Sequence, residues 1–264
     1  REAATGTANI AIGGFGTLDA ITTGSGNIAL GSGALGAETT GGANIAIGSS
    51  AGRVLAFSST VNSGNIFIGR EAGYDVRTAS YSTFIGDYAY GPSGASFTSS
   101  YGDTALGASA GYSMNNSSNN TLIGFRAGYN ATTGYGNTLL GSNPDAVTNI
   151  STGYNNIGIG YNVNFPSATG NNQLSIGNFL FGTLPATTSS ATLGLPTTGA
   201  FGIATTSPYA TLSVHANTGS SNTTLFAIGS STASATTTLF SVSNTGHTNL
   251  VSLLATGSST IGGG

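Results

Sequence analysis

One short phrase recurs ten times between residues 9 and 177: a polar residue, usually Asn, then an alternating apolar triplet ending in Ile or Leu, then Gly. The Gly positions are Gly13, Gly31, Gly48, Gly69, Gly86, Gly107, Gly124, Gly141, Gly160 and Gly177, at intervals of 17 to 21 residues. A period this short, with one strand-like segment per copy, restricts the chain to a stacked, quasi-one-dimensional architecture in which each repeat touches only its neighbours. The expected fold is all-β, a parallel β-solenoid of about ten coils. Stacked at strand spacing, they would form a rod roughly 45 to 50 Å long.

Side chains alternate across a strand, so the residues one and three before each Gly share a face. The first of these positions is aliphatic throughout: Ile12, Leu30, Ile47, Ile68, Ile85, Leu106, Ile123, Leu140, Ile159 and Ile176. They are expected to superpose as an inward aliphatic ladder, with each coil turning at the Gly that follows. Four residues before the Gly stand Asn9, Asn27, Asn44, Asn65, Asn120, Asn137 and Asn156, with Ser82, Asp103 and Gln173 in the other three repeats. Stacked Asn side chains pass amide hydrogen bonds along such a column or cap turns locally, a structural role rather than a catalytic one. The middle of the triplet points the other way and is also apolar. Phe67, Phe84, Leu122 and Leu139 at this position are therefore expected at contacts between copies of the chain.

Two intervals carry about four extra residues, within 53–64 and 91–102, and insertions at one phase of a solenoid emerge as loops on one side. Val54, Leu55, Phe57, Phe97 and Tyr101 make these loops apolar, which suits packing against a neighbouring subunit better than ligand binding. After Gly177 the period fails. The expected organisation is a repeat domain over 1–180, a Pro, Thr, Ser and Gly connector over 181–210, and a small β module over 211–264. Its alternating segments start at Leu212, Leu225, Leu239 and Leu250. A module that small buries little surface alone, which favours an intertwined oligomer.

Charge is scarce: five Arg, no Lys and eight acidic residues, all at or before Asp145. No basic patch for nucleic acid exists, and no apolar run reaches the length of a membrane-spanning helix. Without cysteine there is neither a disulfide framework nor a thiolate metal site. Beginning at Arg1 without Met, the chain is expected to be a processed product or a piece of something longer. Glu71, Asp75, Asp87 and Asp103 are the candidates for paired-carboxylate glycan cleavage. Arg70 and Asp87 share one phase in adjacent coils, however, and an ion pair is the favoured reading. His215 and His247 lack carboxylate or Cys neighbours in sequence and are not expected to hold a metal. Ten of eleven Tyr lie between Tyr74 and Tyr161, more in keeping with a subunit interface than with a sugar-stacking surface.

The repeat resembles that of the heads of trimeric autotransporter adhesins, left-handed parallel β-rolls carrying Asn-Ser-Val-Ala-Ile-Gly, and equally repeats of phage tail fibres. Gly26-Asn27-Ile28-Ala29-Leu30-Gly31 and Gly42-Ala43-Asn44-Ile45-Ala46-Ile47-Gly48 carry the closest likeness, with the Asn one place nearer the Gly and with longer coils. Segments 202–208 and 239–246 are similar to tail-fibre-like bacterial surface proteins. What the resemblance implies is a homotrimer, surface exposure and adhesion. The expected function is thus a structural subunit of an extracellular fibre, with itself as principal partner in a trimer or filament and a surface glycan or protein receptor as a further one. No enzymatic activity, cofactor or membrane insertion is expected. A filament subunit polymerising end to end and a polysaccharide-cleaving spike are the other readings.

Overall fold

The computed structural model describes residues 6–54, 63–91, 98–145, 150–184, 200–203, 210, 212–214, 224–231, 236–243 and 248–250. Among them the chain forms strands, turns and bends and no helix. The strands of the repeat region are β1 (Ile10–Ile12), β2 (Ile28–Leu30), β3 (Ile45–Ile47), β4 (Ile66–Ile68), β5 (Val76–Ser80), β6 (Thr83–Ile85), β7 (Thr98–Tyr101), β8 (Thr104–Leu106), β9 (Ser117–Ser118), β10 (Thr121–Ile123), β11 (Thr138–Leu140), β12 (Ile157–Ile159) and β13 (Gln173–Ile176). Beyond them lie β14 (Leu180–Thr183), β15 (Ala200–Ile203), β16 (Leu212–Val214), β17 (Thr224–Ser231), β18 (Thr236–Ser243) and β19 (Thr248–Leu250).

The ten triplets β1, β2, β3, β4, β6, β8, β10, β11, β12 and β13 stack as one parallel sheet in repeat order. Their register keeps every triplet in phase, for example Leu106 beside Ile123 and Ile123 beside Leu140. The chain is therefore a parallel β-solenoid of about nine turns. On a second side, β5, β7 and β9 form a short parallel sheet, so part of the second insertion folds as a strand. Leu55, Phe57 and Phe97 of the insertions lie outside the described residues. Of the other two loop residues singled out above, Val54 is half-buried and Tyr101 is exposed on β7.

Two backbone requirements explain the repeat. The strand-ending glycines from Gly31 to Gly160 take φ values of 123 to 136°. They also stack backbone on backbone: a Cβ built on Gly124 would lie 2.3 Å from the carbonyl oxygen of Gly141. Only Gly meets both conditions. Five residues before each of these glycines the chain turns a left-handed corner at φ of 55 to 71°, occupied by Gly or Asn in several coils but by Ala43 and Tyr81 in others.

The interior inverts the expected faces. The middle triplet residues Ala29, Ala46, Phe67, Phe84, Ala105, Leu122 and Leu139 are all at most 3% exposed. They face the core together with Ala34, Ala51, Ala72, Ala89, Ala110 and Ala127, each three residues past a strand-ending Gly. Phe67, Phe84, Leu122 and Leu139 are thus core residues and not contacts between chains. Alternation fixes which residues share a face but not which face is inside. The coil is too thin for branched aliphatics on both walls, so it opposes small residues or trades volume between them. Gly52 and Gly73 leave room for Phe67, whose ring carbons would lie 2.6 and 2.8 Å from a Cβ at those two places, and Leu35 packs beside Gly52 as well. Phe67, Phe84 and Tyr90 stack along the middle of the core, at centroid distances of 5.4 and 4.3 Å.

The period fails after Gly177 because the chain reverses there. Gly177 and Asn178 both take φ near +57° and the Phe179 N–H donates to the Ile176 carbonyl at 3.1 Å, a primed hairpin turn. β14 then runs antiparallel on β13 and closes the last rung. β15 and β16 extend the same sheet, so strands continue into the stretch expected as a connector. β17, β18 and β19 form a separate antiparallel sheet over segments that alternate in the sequence.

Candidate functional site

Two surfaces of the solenoid carry chemistry that the fold itself does not use up, and a buried polar spine holds them in place. The spine is the expected Asn column. The side-chain Oδ1 of each Asn accepts from the backbone N–H of the equivalent residue one coil on: Asn9 from Asn27 at 2.9 Å, Asn27 from Asn44 at 3.0 Å, Asn44 from Asn65 at 3.0 Å. Its Nδ2 donates back to the preceding Oδ1 and across to a turn carbonyl, as Asn120 does to Asp103 and to Gly134, both at 2.9 Å. The ladder continues through Asn137 and Asn156 to Gln173. From Asn27 onward its members are buried. Asn120, Asn137 and Asn156 each use both donors and both acceptor sites, so the column fixes register along the rod.

Where the column changes to Ser82 and Asp103, a polar cluster fills the core. The Asp103 carboxylate accepts from Ser100 Oγ at 2.8 Å, Ser117 Oγ at 2.9 Å and both N–H groups of Asn120. Ser117 Oγ also lies 2.6 Å from the Tyr90 hydroxyl, whose pKa is driven up by burial and by the Asp103 charge. Sequence spacing gave no sign of Ser100, Ser117 or Tyr90. Their signal was only the departure of Asp103 from Asn. With its oxygens taken by four donors and 1% exposure, Asp103 is a structural node rather than an acid or base for substrate.

Asp87 lies on the surface and pairs with Arg70 at 3.3 Å, both side chains about half exposed. Its other oxygen accepts the Arg70 backbone N–H, and the guanidinium sits 4.6 Å over Tyr88. Such an exposed pair contributes little stability, but it occupies the carboxylate. No group of three His, Asp or Glu side chains that could hold a metal occurs among the described residues, and His215 and His247 lie outside them.

Glu38 replaces an apolar residue in the inner column that elsewhere holds Val76 and Met114. Its Oε1 accepts from the N–H groups of Thr40 at 3.0 Å and Gly41 at 2.6 Å, while buried Oε2 has no partner among the described residues. Burial raises its pKa above the ordinary 4.5, against the lowering effect of those N–H groups. The native state therefore holds this proton more tightly than the unfolded chain, and stability is lost as pH rises through and above the ordinary carboxylate range. Glu38→Gln is expected to melt higher than the parent near pH 7, with the gap closing below pH 4.5. A gap constant from pH 4 to 8 in thermal melts would rule out a titrating Glu38.

The first surface is the outer face of the long sheet. Ile12, Ile47, Leu106, Ile123 and Ile159 are exposed, and Leu30, Ile68, Ile85, Leu140 and Ile176 are half-buried between them. The aliphatic ladder exists in the expected order, but on the outside. Beside it runs a second row at the position three before the Gly, from Ile10 through Ile66, Thr83 to Thr138, to Leu174. Comparison with protein-family models, curated proteins and solved structures found no match. The reading of function therefore rests on this chain's own surfaces.

The second surface is aromatic. Tyr112 stacks on Tyr129 at 4.8 Å and Tyr135 on Tyr154 at 4.7 Å, nearly parallel in both cases. Arg53 lies 5.3 Å over Tyr74 and donates from Nη1 to its hydroxyl. Upstream of that pair, Phe15, Asp19 and the glycines Gly16, Gly33 and Gly36 line a groove of about 610 Å³.

Proposed function

We propose that this chain is a non-enzymatic structural subunit of an extracellular fibre or surface appendage, assembled side by side with further copies of itself and able to adhere to a surface receptor. The observation that carries this reading is the outer sheet face. Two rows of ten mainly aliphatic side chains, without a charge, run the length of the solenoid. A strip about 45 Å long and 10 Å wide reaches the size of the largest apolar patches on ordinary monomers. Covering it removes apolar area from water at about 25 cal/mol per Å². A second copy offers the matching surface, apolar and uncharged along the same rows. Three copies are preferred because the repeat resembles that of trimeric adhesin heads. A filament growing end to end is the other assembly, because β1 at one end of the sheet and β16 at the other each pair on one edge only among the described residues.

Sedimentation at micromolar concentration is expected to give about three times the 25.8 kDa chain, or larger species if filaments form. Ile47→Asp and Leu106→Asp should shift the protein to monomer while its β circular dichroism persists. A parent protein that sediments as a folded monomer would end this reading.

A further inference from the structure

The groove upstream of Tyr74 has the chemistry of a carbohydrate site. It lies on the turn segments, away from the aliphatic sheet face. The third and sixth residues of the turn after Leu30 are Gly33 and Gly36, where the next coils carry Ser50 and Arg53, then Glu71 and Tyr74. Gly16 and Gly33 open a floor of bare backbone between Phe15 on one side and the Arg53–Tyr74 stack on the other, while Gly36 is packed against the backbone of Gly16. At about 610 Å³ the groove falls within the range of small-ligand sites. Phe15 is 96% exposed, an aromatic ring that the chain's own core does not use. Asp19, Ser32 and Ser50 line the same groove.

The geometry points to a binding site here for a neutral oligosaccharide of pyranose units. A pyranose has an apolar face of axial C–H bonds, which packs on an exposed aromatic ring, and a rim of vicinal hydroxyls. Two neighbouring hydroxyls donate to a carboxylate such as Asp19, and a guanidinium such as Arg53 donates to a hydroxyl oxygen; bonds to charged partners are the stronger kind. Backbone carbonyls of the glycine floor accept further hydroxyls. A strongly anionic ligand would meet Asp19 beside Arg53, which selects the neutral class. This inference rests on the adhesive part of the function proposed above and assigns it a place and a ligand class.

The test is saturation-transfer NMR and calorimetry on the assembled protein with cellohexaose, maltohexaose and hexa-N-acetylchitohexaose at millimolar concentration. At least one is expected to bind. Asp19→Asn and Phe15→Ala should each weaken that binding tenfold or more, whereas Tyr161→Ala, an exposed aromatic elsewhere, should leave it within twofold. Sedimentation of the same samples reports assembly separately, so failure to bind sugar in an intact oligomer counts against the groove alone. The inference is overturned if none of the three sugars binds, or if binding survives both groove substitutions in folded protein.

Discussion

Leu122→Asp is expected to unfold the middle of the solenoid, while Ile123→Asp, one residue further on, is expected to leave it folded. Leu122 is 2% exposed and packs where Gly111 and Gly128 leave room for its methyl groups. An unpaired carboxylate at that place has no donor and no water, and its burial costs several kcal/mol. That is a large part of the stability of an ordinary domain. Ile123 is 37% exposed on the outer face, so an Asp there keeps its hydration in the single chain. Its cost falls on assembly. Thermal melts read with sedimentation separate the two effects: the first variant should lose its cooperative transition, the second its oligomer. Equal melting losses in dilute monomer would mean that both residues face the core.

Asn120→Asp is expected to make the fold strongly pH-dependent. The substitution replaces Nδ2, which donates to Asp103 Oδ1 and to Gly134 O, with a carboxylate oxygen facing another carboxylate. Two like charges at hydrogen-bond distance in a buried site cannot both ionise, so the pair retains a proton to higher pH than either acid alone. In the native state that proton is held more tightly than in the unfolded chain. Stability is thus present at low pH and lost as pH rises through the carboxylate range and above it. The variant should melt near the parent temperature at pH 4 and far below it at pH 8. Asn120→Ala should instead lose about 2 to 4 kcal/mol at every pH, because it orphans the Asn137 N–H and the Gly134 carbonyl without adding a charge. A flat pH profile for the Asp variant would show that the column tolerates two carboxylates.

The repeat alone dictated much of this molecule. The repeat glycines at intervals of 17 to 21 residues set the parallel stacking, because from Gly13 to Gly141 backbone passing close to backbone excludes every other residue there. The Asn column was legible for the same reason: a side chain with two donors and two acceptor sites, repeated in phase, satisfies itself only by stacking. The Arg70 to Asp87 pair followed from phase in the same way.

Tertiary structure decided what period and polarity leave open. Both sides of the triplet are apolar, so hydrophobicity had no preference between them, and the aliphatic side was expected inside. Volume settled it: the interior holds the small residues from Ala34 to Ala127 together with the middle triplet residues, and the bulkier aliphatic row is left outside. The sequence does carry that signal, in Gly52 and Gly73 beside Phe67 and in Gly111 and Gly128 beside Leu122, but it lies in pairs of positions and not in the aliphatic triplet. The cluster of Tyr90, Ser100 and Ser117 around Asp103 joins residues up to 27 apart: Ser100 and Ser117 are one repeat interval apart and pair in register, but no repeat spacing brings Tyr90 to them. Short-range chemistry sets the rung and its register; only packing in three dimensions determines which side of the rung is dry.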